Sequence, residues 1–84
     1  MGKMCDVLKA RLKEEASDIG AYASLINAAE KDGDMALAKI LKSIAYDEYT
    51  HAMALRDVIE EREEHLDPET DEAWETAKRT FKDM

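Results

Sequence analysis

The stretch Ile44-Ala45-Tyr46-Asp47-Glu48-Tyr49-Thr50-His51-Ala52-Met53-Ala54-Leu55 constrains this chain more than any other. It has the make-up of the middle of a long helix, yet Glu48 and His51 stand where such a helix should bury leucines. Residues three apart lie on one helical face, about one turn apart. The pair can therefore grip one metal ion from one side, or form a hydrogen-bonded polar pair in a core. Leu37, Leu41, Ile44, Glu48, His51, Leu55 and Val58 advance in alternating steps of 4 and 3, with Arg62 as a further position. That is the spacing of a helical packing seam. Ala38, Ala45, Ala52 and Ile59 widen the stripe on one side.

A second seam comes earlier in the chain. Leu8, Leu12, Glu15, Ile19, Tyr22, Ile26 and Ala29 repeat the alternation, and only Glu15 among them is charged. Ala16, Ala23 and Ala28 flank it. Gly20 weakens this helix by about 0.5–1 kcal/mol against Ala and is a candidate point of close approach by a neighbouring helix. Lys31-Asp32-Gly33-Asp34 separates the seams. Gly33 suits the left-handed residue that closes a helix, and Asp34 suits the cap of the next. So short a turn makes the two helices antiparallel neighbours.

The hairpin brings the polar positions together. Glu15 lies 18 residues before Gly33, Glu48 lies 15 after it and His51 lies 18 after it. At about 1.5 Å rise per residue, Glu15 faces the span between Glu48 and His51.

After Val58 the chain turns acidic, with Glu60, Glu61, Glu63, Glu64, Asp67, Glu69, Asp71 and Glu72 relieved only by Arg62. This run can guide cations, and equally reads as a solvated charged face. His65 beside Glu61 and Glu64 is a weak candidate cation site. Asp67-Pro68 starts a third helix, with Asp67 as cap and Pro68 at the first helical position. Its apolar face is Ala73, Trp74, Ala77 and Phe81, suited to a clasp on the hairpin. The sequence thus predicts an all-α fold in one domain, residues 1–84. Its helices cover about 4–31, 35–65 and 68–82, an antiparallel two-helix hairpin plus a short C-terminal helix.

Composition agrees and excludes several classes. Of 84 residues, 45% are hydrophobic and 38% charged, with three Gly and one Pro, which suits a helical bundle with charged outer faces. A core of this size is marginal alone, so assembly or a metal is expected. The net charge of −8 disfavours nucleic acid and anionic membranes as partners and attracts cations. The single Cys5 allows no internal disulfide and no paired-cysteine metal site. No apolar run reaches the length of a signal peptide or membrane span, so a cytoplasmic protein is expected.

A carboxylate in an apolar seam costs several kcal/mol unless paired and hydrogen-bonded. Protonation, a basic partner or a bound cation could each neutralise it. No Lys or Arg occupies the seams near Glu15 or Glu48, and His51 can serve only one of them. A two-fold dimer of hairpins would form a four-helix bundle with two copies of Glu15, Glu48 and His51 at its centre. Its four carboxylates would balance two divalent cations, one Glu and one His terminal on each and the other Glu pair bridging. Di-iron and di-manganese carboxylate bundles use that set: a Glu from each of two helices and Glu-x-x-His from each of the other two.

These residues resemble one half of a rubrerythrin or ferritin-like di-iron domain. The metal Glu of the family's first helix is followed seven residues on by Tyr, as Glu15 is by Tyr22 in Glu15-Ala-Ser-Asp-Ile-Gly-Ala-Tyr22. Its second motif is similar to Ala45-Tyr46-Asp47-Glu48-Tyr49-Thr50-His51-Ala52. The separation of Glu15 from Glu48 and the linker Ala29-Glu30-Lys31-Asp32-Gly33-Asp34 also fit, over roughly residues 8–60. Family members usually carry two such hairpins per chain, and this chain has one. The resemblance therefore implies assembly in trans, as in encapsulated ferritins, with self as partner and a protein compartment shell as a second candidate. Thr76 to Met84 carry no evident cargo tag. No Cys-rich rubredoxin domain is present as electron donor.

The resemblance implies that Glu15, Glu48 and His51 are both the metal ligands and the catalytic set. They would bind two irons per dimer, with manganese and zinc as other occupants, and oxidise Fe(II) with O2 or peroxide. The second nitrogen of His51 needs a hydrogen-bonding partner, for which Asp47, or Asp18 from a neighbouring helix, is available. Asp18 is also a candidate movable ligand or a solvated carboxylate. Tyr22 either hydrogen-bonds a ligand Glu or fills core, and Tyr49 packs on another face. The alternative function is a non-enzymatic interaction or scaffold module in which buried Glu and His set register.

Overall fold

A computed structural model describes residues 3–63 and 66–84. Among them are three helices and no strand: α1 (Lys3–Lys31), α2 (Met35–Glu63) and α3 (Pro68–Asp83). The expected end of the second helix at Glu64 or His65, and the His65 cation site, lie outside the described residues.

The α1–α2 turn follows from backbone chemistry. Gly33 takes φ +76°, which costs a side-chain-bearing residue more than glycine. Its N–H donates to Glu30 O at 3.0 Å, and the Asp34 N–H donates to Ala29 O at 2.9 Å. This pair of bonds closes α1 as a Schellman motif. Asp34 then opens α2, its Oδ1 accepting from the Leu37 N–H at 3.1 Å. One residue thus serves both helix ends. Asp67 caps α3 with extended backbone; its carboxylate accepts from Thr70 N–H at 3.3 Å and from Thr70 Oγ1 at 2.7 Å.

The core is thin. Leu12, Ile19 and Ile26 of α1 and Ala38, Ala45, Ala52 and Ile59 of α2 are all buried, and Leu12 packs with Ala52 and Ile59. The α2 residues recur every seven positions, and three of the four are alanine, whose small side chains permit close helix approach. The sequence seam of α2 is not this line. Leu41, Ile44, Leu55 and Val58 are only half-buried and Leu37 is exposed. The alanine column that the sequence reading placed on the flank is the hairpin contact. The reason is the position of α3, which covers the opposite flank.

That flank is aromatic. Trp74 and Ala77 are buried. The Tyr49 ring stacks on Trp74, centroids 5.5 Å apart, and on Phe81 at 4.3 Å with a 2° interplanar angle. Such contacts add about 0.5–1.5 kcal/mol beyond area burial. The Arg56 guanidinium lies 5.3 Å over Trp74. Lys9 pairs with Asp67 at 3.7 Å and Lys13 with Glu69, tying the start of α3 to α1.

The columns around each helix run in one order. On α2 the column of Tyr49 and Arg56 faces α3, and the alanine column faces α1. The columns Leu41-Glu48-Leu55 and Leu37-Ile44-His51-Val58 come next. On α1 the matching columns beyond the core are Leu8-Glu15-Tyr22 and Met4-Arg11-Asp18-Leu25. One broad face of the hairpin is therefore uncovered, with Met4, Leu25 and Leu37 exposed on it and Val7 and Ile40 exposed at its margins. The accessible surface is 5500 Å², against about 5000 Å² expected for a monomer of this mass. Gly20 does not mark a close approach: a methyl group there would meet nothing within 4 Å.

Candidate metal centre

Glu15, Glu48 and His51 meet at mid-height of the uncovered face. Their ligand atoms all lie within 4.8 Å of one another. His51 Nδ1 is 3.9 Å from Glu15 Oε2 and 3.9 Å from Glu48 Oε1. Two such atoms can share one ion, since about 2.1 Å on each side allows up to roughly 4.2 Å between them. Exposure is graded across the set. The side chain of Glu15 is 6% exposed, Glu48 21% and His51 64%.

The electrostatics leave room for a cation. Hydrogen bonding to the Glu15 carboxyl raises the pKa of Glu48 above its ordinary value. Partial burial and the Glu15 charge raise it further, while His51 and Arg11 pull it down. Such mutual repulsion is what two carboxylates in one site produce. Glu15 Oε1 is buried without a hydrogen-bond partner, an arrangement that costs about 1–3 kcal/mol for a polar group and more for a charged one. Carboxylate and imidazole donors suit iron, manganese or zinc. The orphaned oxygen, the paired acids and the spacing fit a divalent ion.

One residue at this site escaped the sequence reading. Arg11 lies off the seam, yet its Nη2 donates to Glu15 Oε2 at 3.1 Å while Nη1 donates to Glu14 Oε1 at 2.9 Å. The Arg11-to-Glu15 spacing of one helical turn could have revealed the pair. The other expected partners stand apart. Tyr22 is half-buried, and Asp18 and Asp47 are exposed. Among the described residues none of the three is hydrogen-bonded to the cluster; Asp18 acts only through its charge on Arg11. Tyr49 belongs to the aromatic stack under α3.

Fold and site together define an all-helical protein with a Glu/Glu/His group able to hold metal on an open hairpin face. A rubrerythrin family model matches residues 6–83, and the chain belongs to the rubrerythrin family. No curated protein and no solved structure matches it. No helix among the described residues is long and apolar enough to cross a membrane.

Proposed function

We propose that two copies of this chain pair through the uncovered hairpin face into a four-helix, ferritin-like bundle. At its centre two sets of Glu15, Glu48 and His51 would hold two iron ions and oxidise Fe(II) with O2 or peroxide, for iron handling or peroxide protection. The observation that carries this reading is the orphaned Oε1 of buried Glu15, beside Glu48 and His51 on a face rich in exposed apolar side chains. A lone hairpin offers three ligands and leaves one side of the site open. A second copy would supply the other side and bury the apolar residues around it.

Glu15, Glu48 and His51 would hold iron, which when bound would supply the electrons that reduce the oxidant. The chain's own residues do the rest. Glu15 and Glu48 give negative charge in a partly dry setting, where it draws cations strongly. His51 would add a nitrogen donor to the set. The half-buried apolar residues above and below, Ile44 and Leu55 among them, would shield both ends once a second copy covers the site. A cytoplasmic setting suits this reading, with a compartment shell as a second partner beside the chain itself.

The alternative is a helical interaction or scaffold module without metal. The Arg11–Glu15 bond at 3.1 Å favours it, because it neutralises one carboxylate without a cation. It leaves Glu15 Oε1 buried without a partner. Metal analysis of protein purified without chelator, sedimentation with and without metal, and an Fe(II) oxidation assay separate the two. The di-iron reading expects a metal-bound dimer that oxidises Fe(II) faster than Glu48→Ala. A metal-free monomer, or equal rates, would overturn it.

A further inference from the structure

The Arg11 guanidinium bridges two carboxylates of opposite character. Glu14 is 63% exposed at the side chain and Glu15 is 6% exposed, while Arg11 itself is 53% exposed. Its Nη2 bond goes to Glu15 Oε2. That is the same oxygen that stands 3.9 Å from His51 Nδ1, so Arg11 holds the Glu15 oxygen that faces His51, where an ion shared by the two residues would bind. We propose that Arg11 is a displaceable placeholder for the metal. It neutralises Glu15 in the empty site and is driven off Oε2 when a divalent cation enters, remaining tethered to Glu14. The inference rests on the metal reading above and deepens it by naming what gates the site.

Charge and geometry support the exchange. With Arg11 turned in, its charge is shared between Glu14 and Glu15; turned out onto Glu14 alone, it leaves the Glu15 and Glu48 carboxylates of each half-site to face a divalent ion. The planar guanidinium presents several N–H donors in a fixed fork, so rotation about the Glu14 contact can release one prong and keep the other. Glu14 and Asp18 both attract Arg11, and both lie on the exposed side of α1. The displaced arginine thus has a resting place.

The device acts on affinity and on the empty protein in opposite directions. Removing Arg11 frees Glu15 for metal but leaves a buried carboxylate unpaired. Removing Glu14 takes away the resting place and holds Arg11 more firmly on Glu15.

The test is calorimetric titration of the full chain with Mn2+ alone, together with melting of the metal-free protein. Arg11→Gln should bind Mn2+ about three- to tenfold tighter than wild type, the range expected for losing a partly buried, charge-assisted competitor. Its metal-free form should melt lower, and saturating Mn2+ should raise its melting temperature by more than wild type's. Glu14→Gln should weaken Mn2+ binding about two- to fivefold in the wild-type background and leave it unchanged beside Arg11→Gln, since effects through a shared partner are not additive. Should Arg11→Gln not fold, Arg11→Lys keeps the charge without the fork and should also bind tighter than wild type. Equal or weaker binding by the Arg11 variants, or a Glu14 effect of one size in both backgrounds, overturns the placeholder and makes Arg11 a fixed ion pair. A wild-type chain that takes up no Mn2+ overturns the metal reading, and this inference with it.

Discussion

His51 Nδ1 and Glu15 Oε2 stand 3.9 Å apart across the α1–α2 interface, although His51 is largely in solvent and Glu15 is almost sealed from it. The two ligands should therefore respond differently to removal. His51→Ala deletes a ligand from an exposed position, so the stability of the metal-free protein should stay within about 0.5 kcal/mol of wild type. Mn2+ affinity should fall by more than tenfold, because even groups that only orient a ligand are worth about 10–100-fold. Glu15→Ala should abolish binding and also change the stability of the empty protein. Calorimetry and melting on both variants check this. Undiminished Mn2+ binding by His51→Ala would remove the imidazole from the site.

The raised pKa of Glu48 gives a pH signature. Hydrogen bonding to Glu15, then burial and the Glu15 charge, make the folded chain hold the Glu48 proton more tightly than the unfolded chain. The stabilisation is thus fully present below the unfolded carboxylate value and is lost as pH rises through the raised folded value. Between weakly acid and neutral pH, metal-free wild type should lose stability relative to Glu48→Gln, which has no proton to release. Bound metal should reverse the trend, since it favours the ionised carboxylate. Melting curves in EDTA across this window provide the measurement, and parallel curves for the two proteins would contradict the assignment.

Asp67 has the opposite sign. Its bond from Thr70 Oγ1, reinforced by the Thr70 backbone and Lys9 and opposed by burial, lowers its pKa. Its contribution is present above the unfolded carboxylate value and disappears as pH falls through the depressed folded value. Asp67→Ala removes the cap of α3 and should cost about 1 kcal/mol at neutral pH. Loss should show first in the near-ultraviolet signal of Trp74, which α3 buries. An unchanged melting temperature would mean that the Trp74 and Ala77 packing alone holds α3.

Gly20 is a place where sequence and structure part, and it yields a stabilising change. The residue is helical and exposed, and an added methyl group meets no atom within 4 Å. Gly20→Ala should therefore gain about 0.5–1 kcal/mol from helix propensity, or roughly 2–8 °C for a domain of this size. Melting at fixed protein concentration decides it. A drop would indicate that another copy packs against this position.

Local physics made most of the fold legible. Gly33 and Asp34 announce the turn because few residues satisfy a left-handed closure and a following cap. Asp67-Pro68 announces α3 for a similar reason. The meeting of Glu15 with Glu48 and His51 needed only the turn position and the rise of a helix. What the sequence concealed depended on which flank α3 covers. Both the alanine column and the Leu41-Glu48-Leu55 column are apolar enough to be the hairpin contact, and only the Tyr49–Trp74–Phe81 stack chooses between them. Arg11 was hidden because its backbone position is off the seam while its long side chain reaches back to it. Asp18, Asp47 and Tyr22 are candidates by sequence to reach the ligands, and among the described residues none is hydrogen-bonded to them.

The uncovered face gives the last prediction. Ile40 is 59% exposed and Leu37 43% exposed, and neither is among the residues that pack α1 or α3 onto α2. A charge at such a position should leave the isolated hairpin folded, because it displaces no buried atom. In the proposed bundle the same charge would face apolar side chains of a second copy and cost several kcal/mol without a partner. Ile40→Glu should thus keep its helical circular dichroism yet sediment as a monomer. It should also lose tight Mn2+ binding, although Glu15, Glu48 and His51 are untouched. An exposed surface substitution without an interface would change stability by no more than about 0.5 kcal/mol and metal binding not at all. Coupled loss of assembly and metal in this variant would tie the site to the pairing of two chains. An Ile40→Glu protein that binds Mn2+ as wild type does would instead leave each hairpin to hold its own ion.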